Sequence, residues 1–107
     1  MKLIIAVIKP FKLDDVRAAL TAAGVQGMTV SAVHGIGRQK MAGSEAEASM
    51  VPKMKIEMVV EDDQVDPVLD AIQASAATGT VGDGKIFVAD VGHAVRIRTG
   101  ETNEAAI

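Results

Sequence analysis

Residues 2–24 read KLIIAVIKPFKLDDVRAALTAAG, and the change of hydrophobic period inside this run decides the fold. Leu3 to Ile8 is apolar without interruption between Lys2 and Lys9 and is stopped by Pro10. Its length and β-branched content predict a central, buried strand. From Leu13 the apolar positions Leu13, Val16, Leu20 and Ala23 recur at helical spacing. Asp14 and Asp15 then sit at the positive end of the helix dipole, and Gly24 supplies the stop. The opening unit is a strand followed by an amphipathic helix.

The same alternation of periods repeats downstream. Met28, Val30, Ala32 and Ile36 alternate with Thr29, Ser31 and Gly35, which predicts a strand running into a Gly35-Ile36-Gly37 turn. Residues 41–50, MAGSEAEASM, are small and acidic with no sustained period and read as a loop. After Pro52, Met54, Ile56, Met58 and Val60 face one way while Lys53, Lys55 and Glu57 face the other, giving a half-buried strand. A second helix carries Val65, Val68, Leu69, Ile72 and Ala76. Its start is open between Asp62 or Asp63 as cap and Asp66 as cap with Pro67 at the first helical position, and Gly79 is read as its end. Ile86 to Val91 forms a further strand behind the Gly82-Asp83-Gly84-Lys85 turn, and Val95 and Ile97 alternating with Arg96 and Arg98 predict a short final strand.

The order is β-α-β, loop, β-α-β. It predicts an α+β fold of the split βαβ, or ferredoxin-like, kind: one antiparallel sheet with both helices on one face, plus the short C-terminal strand. With 107 residues the chain is expected to form one domain, residues 1–107. The far face of such a sheet carries Val7, Val33 and Val59 by alternation and needs a cover, so oligomerisation is expected.

Composition narrows the function. No Cys is present, which excludes disulfides, thiolate metal sites and a Cys nucleophile. Trp and Tyr are absent and only two Phe remain, Phe11 and Phe87, so the aromatic platforms of single-strand nucleic-acid readers are missing; a net charge of −3 argues the same way. No apolar run approaches the roughly 18 residues of a membrane span, and the N-terminus reads as a strand without a signal pattern. A cytoplasmic protein without nucleic-acid partners or membrane insertion is the expectation.

The basic residues are few but concentrated on glycine-rich turns. Residues 79–85, GTVGDGK, match the glycine and lysine spacing of a P-loop, yet Ile86 stands where Ser or Thr would bind magnesium, and the loop follows a helix and enters a strand. The glycines still permit positive φ and close backbone approach, so Gly82 to Lys85 reads as an anion nest or as a plain turn with a solvated Lys. Arg96 and Arg98, on one face of the predicted strand, suit a phosphate or simply a charged edge. Residues 35–40, GIGRQK, add two cations and an amide oxygen able to ligate a metal, and Lys53 adds a cation across the loop. His34 and His93 lack partners at metal or catalytic spacing, and alternation puts Met54 and Met58 in the core.

These residues lie in blocks that resemble the PII nitrogen-regulatory signalling proteins: IKPFKLDDVRAAL at 8–20, GMTV at 27–30, GIGRQK at 35–40, PKMKIE at 52–57, TGTVGDGKIFV at 78–88, RIRTGE at 96–101 and the terminal AAI. The resemblance implies a homotrimer with three nucleotide sites in the clefts between neighbours. Gly82, Asp83, Gly84 and Lys85, with Arg38, Arg96 and Arg98, would hold the phosphates of ATP or ADP. Thr29, Gly35, Gly37, Glu57 and Val59 would surround base and ribose. Gln39 would ligate Mg2+ shared by ATP and 2-oxoglutarate, with the backbone near Lys40 and the Lys53 ammonium receiving the effector carboxylates. A regulated target protein, a transporter or an enzyme, would be engaged through the loop 37–53. No covalent chemistry is implied.

The departure is in that loop. Family members carry a longer one with a modifiable Tyr and a transporter-plugging Arg, and residues 41–51 hold neither. Thr80 stands where many members have Lys. A non-enzymatic sensor of ATP, ADP and 2-oxoglutarate is the leading expectation. A paralogue that responds to adenine nucleotides alone and a weak ATPase using the same cations are the alternatives.

Overall fold

The structure, a computed structural model, describes residues 1–36 and 50–107. Four strands, β1 (Lys2–Ile8), β2 (Thr29–Gly35), β3 (Val51–Val60) and β4 (Gly84–Asp90), form one sheet in the order β2-β3-β1-β4, antiparallel at each pairing. Helix α1 (Leu13–Ala22) follows β1 and helix α2 (Val65–Ala76) follows β3. This is the expected ferredoxin-like arrangement, with the apolar run of β1 hydrogen-bonded on both sides.

Register explains which residues are buried. Ile4, Ala6 and Ile8 of β1 lie opposite Met58, Ile56 and Met54 of β3 and share the helix-covered face with them. Val16 and Leu20 of α1 and Val68, Ile72 and Ala76 of α2 close over that face, so the helical and strand periods of the sequence meet in one core. The α1 terminus follows the reading. Gly24 has φ +92°, its N–H reaches Thr21 O and the Val25 N–H reaches Leu20 O, a reciprocal closure that needs a left-handed residue at this point.

Several boundaries differ from expectation. Strand β4 starts at Gly84 and ends at Asp90 because pairing with β1 begins at Ile8 opposite Gly84, so that Gly84 and Lys85 of the expected turn open the strand and Val91 lies beyond it. Helix α2 starts at Val65 behind a 3-10 turn, Asp62–Gln64, so Pro67 lies inside its first turn, where no intrahelical N–H is lost. The entry is fixed by Glu61 and Gln64: the Glu61 N–H donates to Gln64 Oε1 at 2.9 Å and the Gln64 N–H donates to Glu61 O at 2.9 Å. Asp62 instead accepts from the Met1 ammonium at 2.8 Å, which holds its carboxyl below the usual range. Helix α2 ends at Ala76, and Gly79, at φ +82°, belongs to the following turn. The expected final strand is reduced to one antiparallel bridge, Val95 to Thr102, within a tight hairpin. There the Arg96 N–H donates to Glu101 O and the Gly100 N–H to Arg96 O, both at 2.8 Å. Arg96 therefore precedes the turn, Arg98 lies within it, and the two do not project from one strand face.

The far face of the sheet is uncovered in a single chain. By register it presents Leu3, Ile5 and Val7 of β1 beside Val59, Glu57 and Lys55 of β3, with Ala89, Phe87 and Lys85 of β4 on the other side. Val33 joins them opposite Lys53. Phe87 is 54% exposed there.

Candidate functional site

The segment between α2 and β4 carries the glycine turn, and it is held from two directions. From the end of β1, the Lys9 ammonium donates to Thr78 Oγ1 at 3.1 Å and to Thr80 Oγ1 at 2.5 Å, and lies 3.1 Å from Asp83 Oδ1. From β3, the ammonium of Lys53, which is 9% exposed, donates to the carbonyl oxygen of Gly82. Burial of a cation is costly unless its donors are satisfied, so each lysine fixes the loop as the loop solvates it.

Asp83 faces back into its own loop. Its Oδ2 accepts the N–H groups of Thr78 at 2.8 Å and Gly79 at 2.9 Å, and its Oδ1 accepts the Thr78 hydroxyl. The Thr78 hydroxyl and amide, ahead of Lys9 and the Gly79 amide, hold this carboxyl well below the usual carboxylate range. Gly82 and Gly84 take φ +92° and +104° on either side of it. The result is a turn held by the protein's own side chains and leading into Lys85, which is exposed and enters no ion pair among the described residues.

A cavity of about 490 Å³ opens beside this turn, lined by Gly82, Asp83, Gly84 and Lys85 together with Gly35 and Lys53, and by the apolar Val7 and Phe87. Its lining joins apolar surface to two cations, Lys53 and Lys85, as a ligand with an apolar body and an anionic end requires. Six of the residues singled out in the sequence are thus brought together. Val59 and Arg96 are not among them: they line a second cavity of about 450 Å³ with Gly24, Gly27 and Ile107, and there Arg96 Nε lies 3.2 Å from Glu101 Oε1. The two cavities share no residue and sit at opposite ends of the strands, one at the Val7 end of β1 and one at the Val60 end of β3. Thr29 and Glu57 pair across β2 and β3 on the sheet face between them. Arg98 lines neither cavity. Gly37, Arg38, Gln39 and Lys40, and with them the expected magnesium ligand, lie outside the described residues.

Lys9 and Thr78 are the residues that sequence reasoning missed. A lysine closing a buried strand is ordinary in sequence. Only the antiparallel pairing of Ile8 with Gly84 brings residue 9 against the loop 78–83.

Fold and turn together define an α+β protein of ferredoxin-like topology with a glycine-rich turn, tied by Lys9 and Lys53, at one end of its sheet. The family model described as "Nitrogen regulatory protein P-II" matches residues 1–101, and the chain belongs to that family. It is 56% identical to the nitrogen regulatory protein P-II of Rhizobium etli, 56% to nitrogen regulatory protein P-II 1 of Escherichia coli K12, and 51% to the nitrogen regulatory protein GlnK of the same strain. In each case the whole of both chains is covered. Those alignments run over 112 positions, against the 107 residues of this chain. Among the described residues no helix is long and apolar enough to cross a membrane.

Proposed function

We propose that this P-II family protein is a cytoplasmic sensor that binds ATP or ADP, takes Mg2+ with ATP and 2-oxoglutarate as co-effector, and regulates a target protein through residues 37–53. The observation that carries the reading is the turn 82–85, fixed by Lys9 and Lys53 with its own carboxylate already satisfied, so that Lys85 and the loop backbone line a cavity together with the apolar Val7 and Phe87. Preorganised donors bind an anion without an ordering cost at the moment of binding. ATP and ADP differ by the γ-phosphate, and a ligand shifts a loop between arrangements only by its differential affinity for them; the target would read that difference.

The proposal includes a homotrimer. Its support is the division of the expected nucleotide residues between two separate cavities of one chain: Gly35 and Gly82 to Lys85 in one, Val59 and Arg96 in the other. A site containing both sets needs a second copy, and packing copies through the far face would bury Leu3, Ile5, Val7, Val59 and Phe87. Native mass spectrometry tests the stoichiometry.

Calorimetry with ATP and ADP, with and without Mg2+ and 2-oxoglutarate, tests the sensing function. Saturable binding of both nucleotides, lost or strongly weakened in Lys85→Ala, is expected. The absence of binding in the folded wild type would overturn the reading, and sustained ATP turnover abolished by Lys85→Ala would replace it with an ATPase.

A further inference from the structure

We propose that Lys9 and Thr80 are positioning residues of the nucleotide turn: they set its affinity for ATP and ADP by locking Asp83 and the backbone of residues 78–83 to the end of β1, without touching the ligand. The inference rests on reading the turn 82–85 as the phosphate site. It deepens that reading by assigning two residues that lie outside the expected set.

Proton counting gives the direction of each bond. The Thr78 hydroxyl spends its one proton on Asp83 Oδ1, so in the 2.7 Å contact between Thr78 Oγ1 and Thr80 Oγ1 the Thr80 hydroxyl is the donor. Thr80 Oγ1 then accepts from Lys9, which also donates to Thr78 Oγ1 and forms an ion pair with Asp83 Oδ1 at 3.1 Å. The ammonium is thereby tied to two hydroxyls and the carboxylate of the same loop. Lys9 sits directly after β1, the strand held on both sides in the sheet, and its side chain is 19% exposed. The brace therefore transmits the rigidity of the sheet to a loop that two positive-φ glycines would otherwise leave with many conformations. Removing it would leave the phosphate donors chemically intact and spatially spread, which lowers affinity for every phosphate-bearing ligand of the turn.

The test combines calorimetry with amide hydrogen exchange on ligand-free protein, for wild type, Lys9→Met, Lys9→Arg and Thr80→Val. Lys9→Met is expected to weaken ATP and ADP together by about tenfold and Thr80→Val by about threefold, the range set by losing one charge-assisted contact or part of one. Lys9→Arg is expected to recover part of the loss. Exchange at the Thr78 and Gly79 amides is expected to accelerate in Lys9→Met and Thr80→Val while the amides of β1 and β3 keep their protection. Unchanged nucleotide affinity and unchanged Thr78 and Gly79 exchange in folded variants would overturn the assignment. If Lys9→Met does not fold, Thr80→Val alone decides by the same two measurements. A wild type that binds no nucleotide would sink the phosphate reading, and the exchange data would then still uphold or overturn the brace itself.

Discussion

The carbonyl of Val7 occupies the space that a side chain at Gly84 would need: a Cβ added there would lie 1.7 Å from Val7 O and 2.9 Å from Val7 C. The clash is with the backbone of the central strand, which cannot step aside, and Gly84 also sits at φ +104°. Close approach here is what joins the turn 82–85 to β1, since β4 begins its pairing at Gly84 opposite Ile8. Gly84→Ala is expected to destabilise the protein by about 3 kcal/mol or more, combining backbone strain with displacement of the edge strand. Urea denaturation of wild type and variant measures this, and a loss under about 1 kcal/mol would show that the strand pair adjusts at little cost.

Asp83 gives the acid response a defined sign. Its hydrogen bonds from Thr78 and Gly79, with Lys9 beside it, place the folded-state pKa below the unfolded value of about 3.9. The folded state then binds fewer protons than the unfolded chain in that window, so the stability from Asp83 is fully present above the unfolded pKa. It is lost as the pH falls toward the folded one. Asp62 and Asp90, held down by the Met1 ammonium and by Lys2, act in the same direction. Asp83→Asn is expected to lower stability at pH 7 and to flatten the decline between about pH 5 and pH 2 relative to wild type. Chemical denaturation across that range checks it; parallel curves for the two proteins would show that the carboxylate is not held low.

Much of the fold was legible because α1, β3 and α2 each keep one period over ten or more residues and bury one face, and because β1 is an unbroken apolar run bounded by Lys2, Lys9 and Pro10. What was not legible turned on short-range competition. Asp62, Asp63, Asp66 and Pro67 are all acceptable start signals, and the helix entry was settled by the reciprocal bonds of Glu61 and Gln64, whose strength no composition rule conveys. At residues 95–98 four alternating positions suggested a strand, but the Gly100 turn folds Glu101 back onto Arg96 and leaves a single bridge. For the site, glycine and lysine spacing pointed to the turn 82–85, whereas the ties from Lys9 and Lys53 are contacts across 69 to 74 and 29 residues that appear only with the sheet register.

Arg98 separates binding from stability. It is exposed, on a turn, and enters no ion pair among the described residues, so its removal from the folded chain costs little. Under the proposed function its guanidinium reaches a phosphate, and Arg98→Ala is expected to weaken ATP by about 1.5 to 3 kcal/mol with an unchanged melting temperature. Arg96→Ala also removes the 3.2 Å contact with Glu101 and is expected to loosen the hairpin as well as the nucleotide. Paired calorimetry and thermal melts distinguish the two. ATP affinity unchanged in folded Arg98→Ala would remove Arg98 from the site.

Lys53 joins nucleotide and effector in one side chain. It is buried, its ammonium is bonded to the Gly82 carbonyl of the nucleotide turn, and no carboxylate pairs with it among the described residues. A buried cation satisfied only by a carbonyl gains from an anion brought within reach, more than an exposed lysine already solvated by water would. Under the proposed function that anion is a 2-oxoglutarate carboxylate, held only when Mg2+ and ATP complete the site, and linkage requires the effector to tighten ATP by the factor by which ATP tightens the effector. Lys53→Met is expected to abolish the effect of 2-oxoglutarate on ATP while ATP alone binds within a few-fold of wild type, because Lys9 still holds the turn from the other side. Calorimetric titration of ATP with Mg2+, with and without millimolar 2-oxoglutarate, reads both quantities. An ATP affinity indifferent to 2-oxoglutarate in the wild type would leave the chain a sensor of adenine nucleotides alone, whereas a shift that survives in Lys53→Met would place the effector away from Lys53.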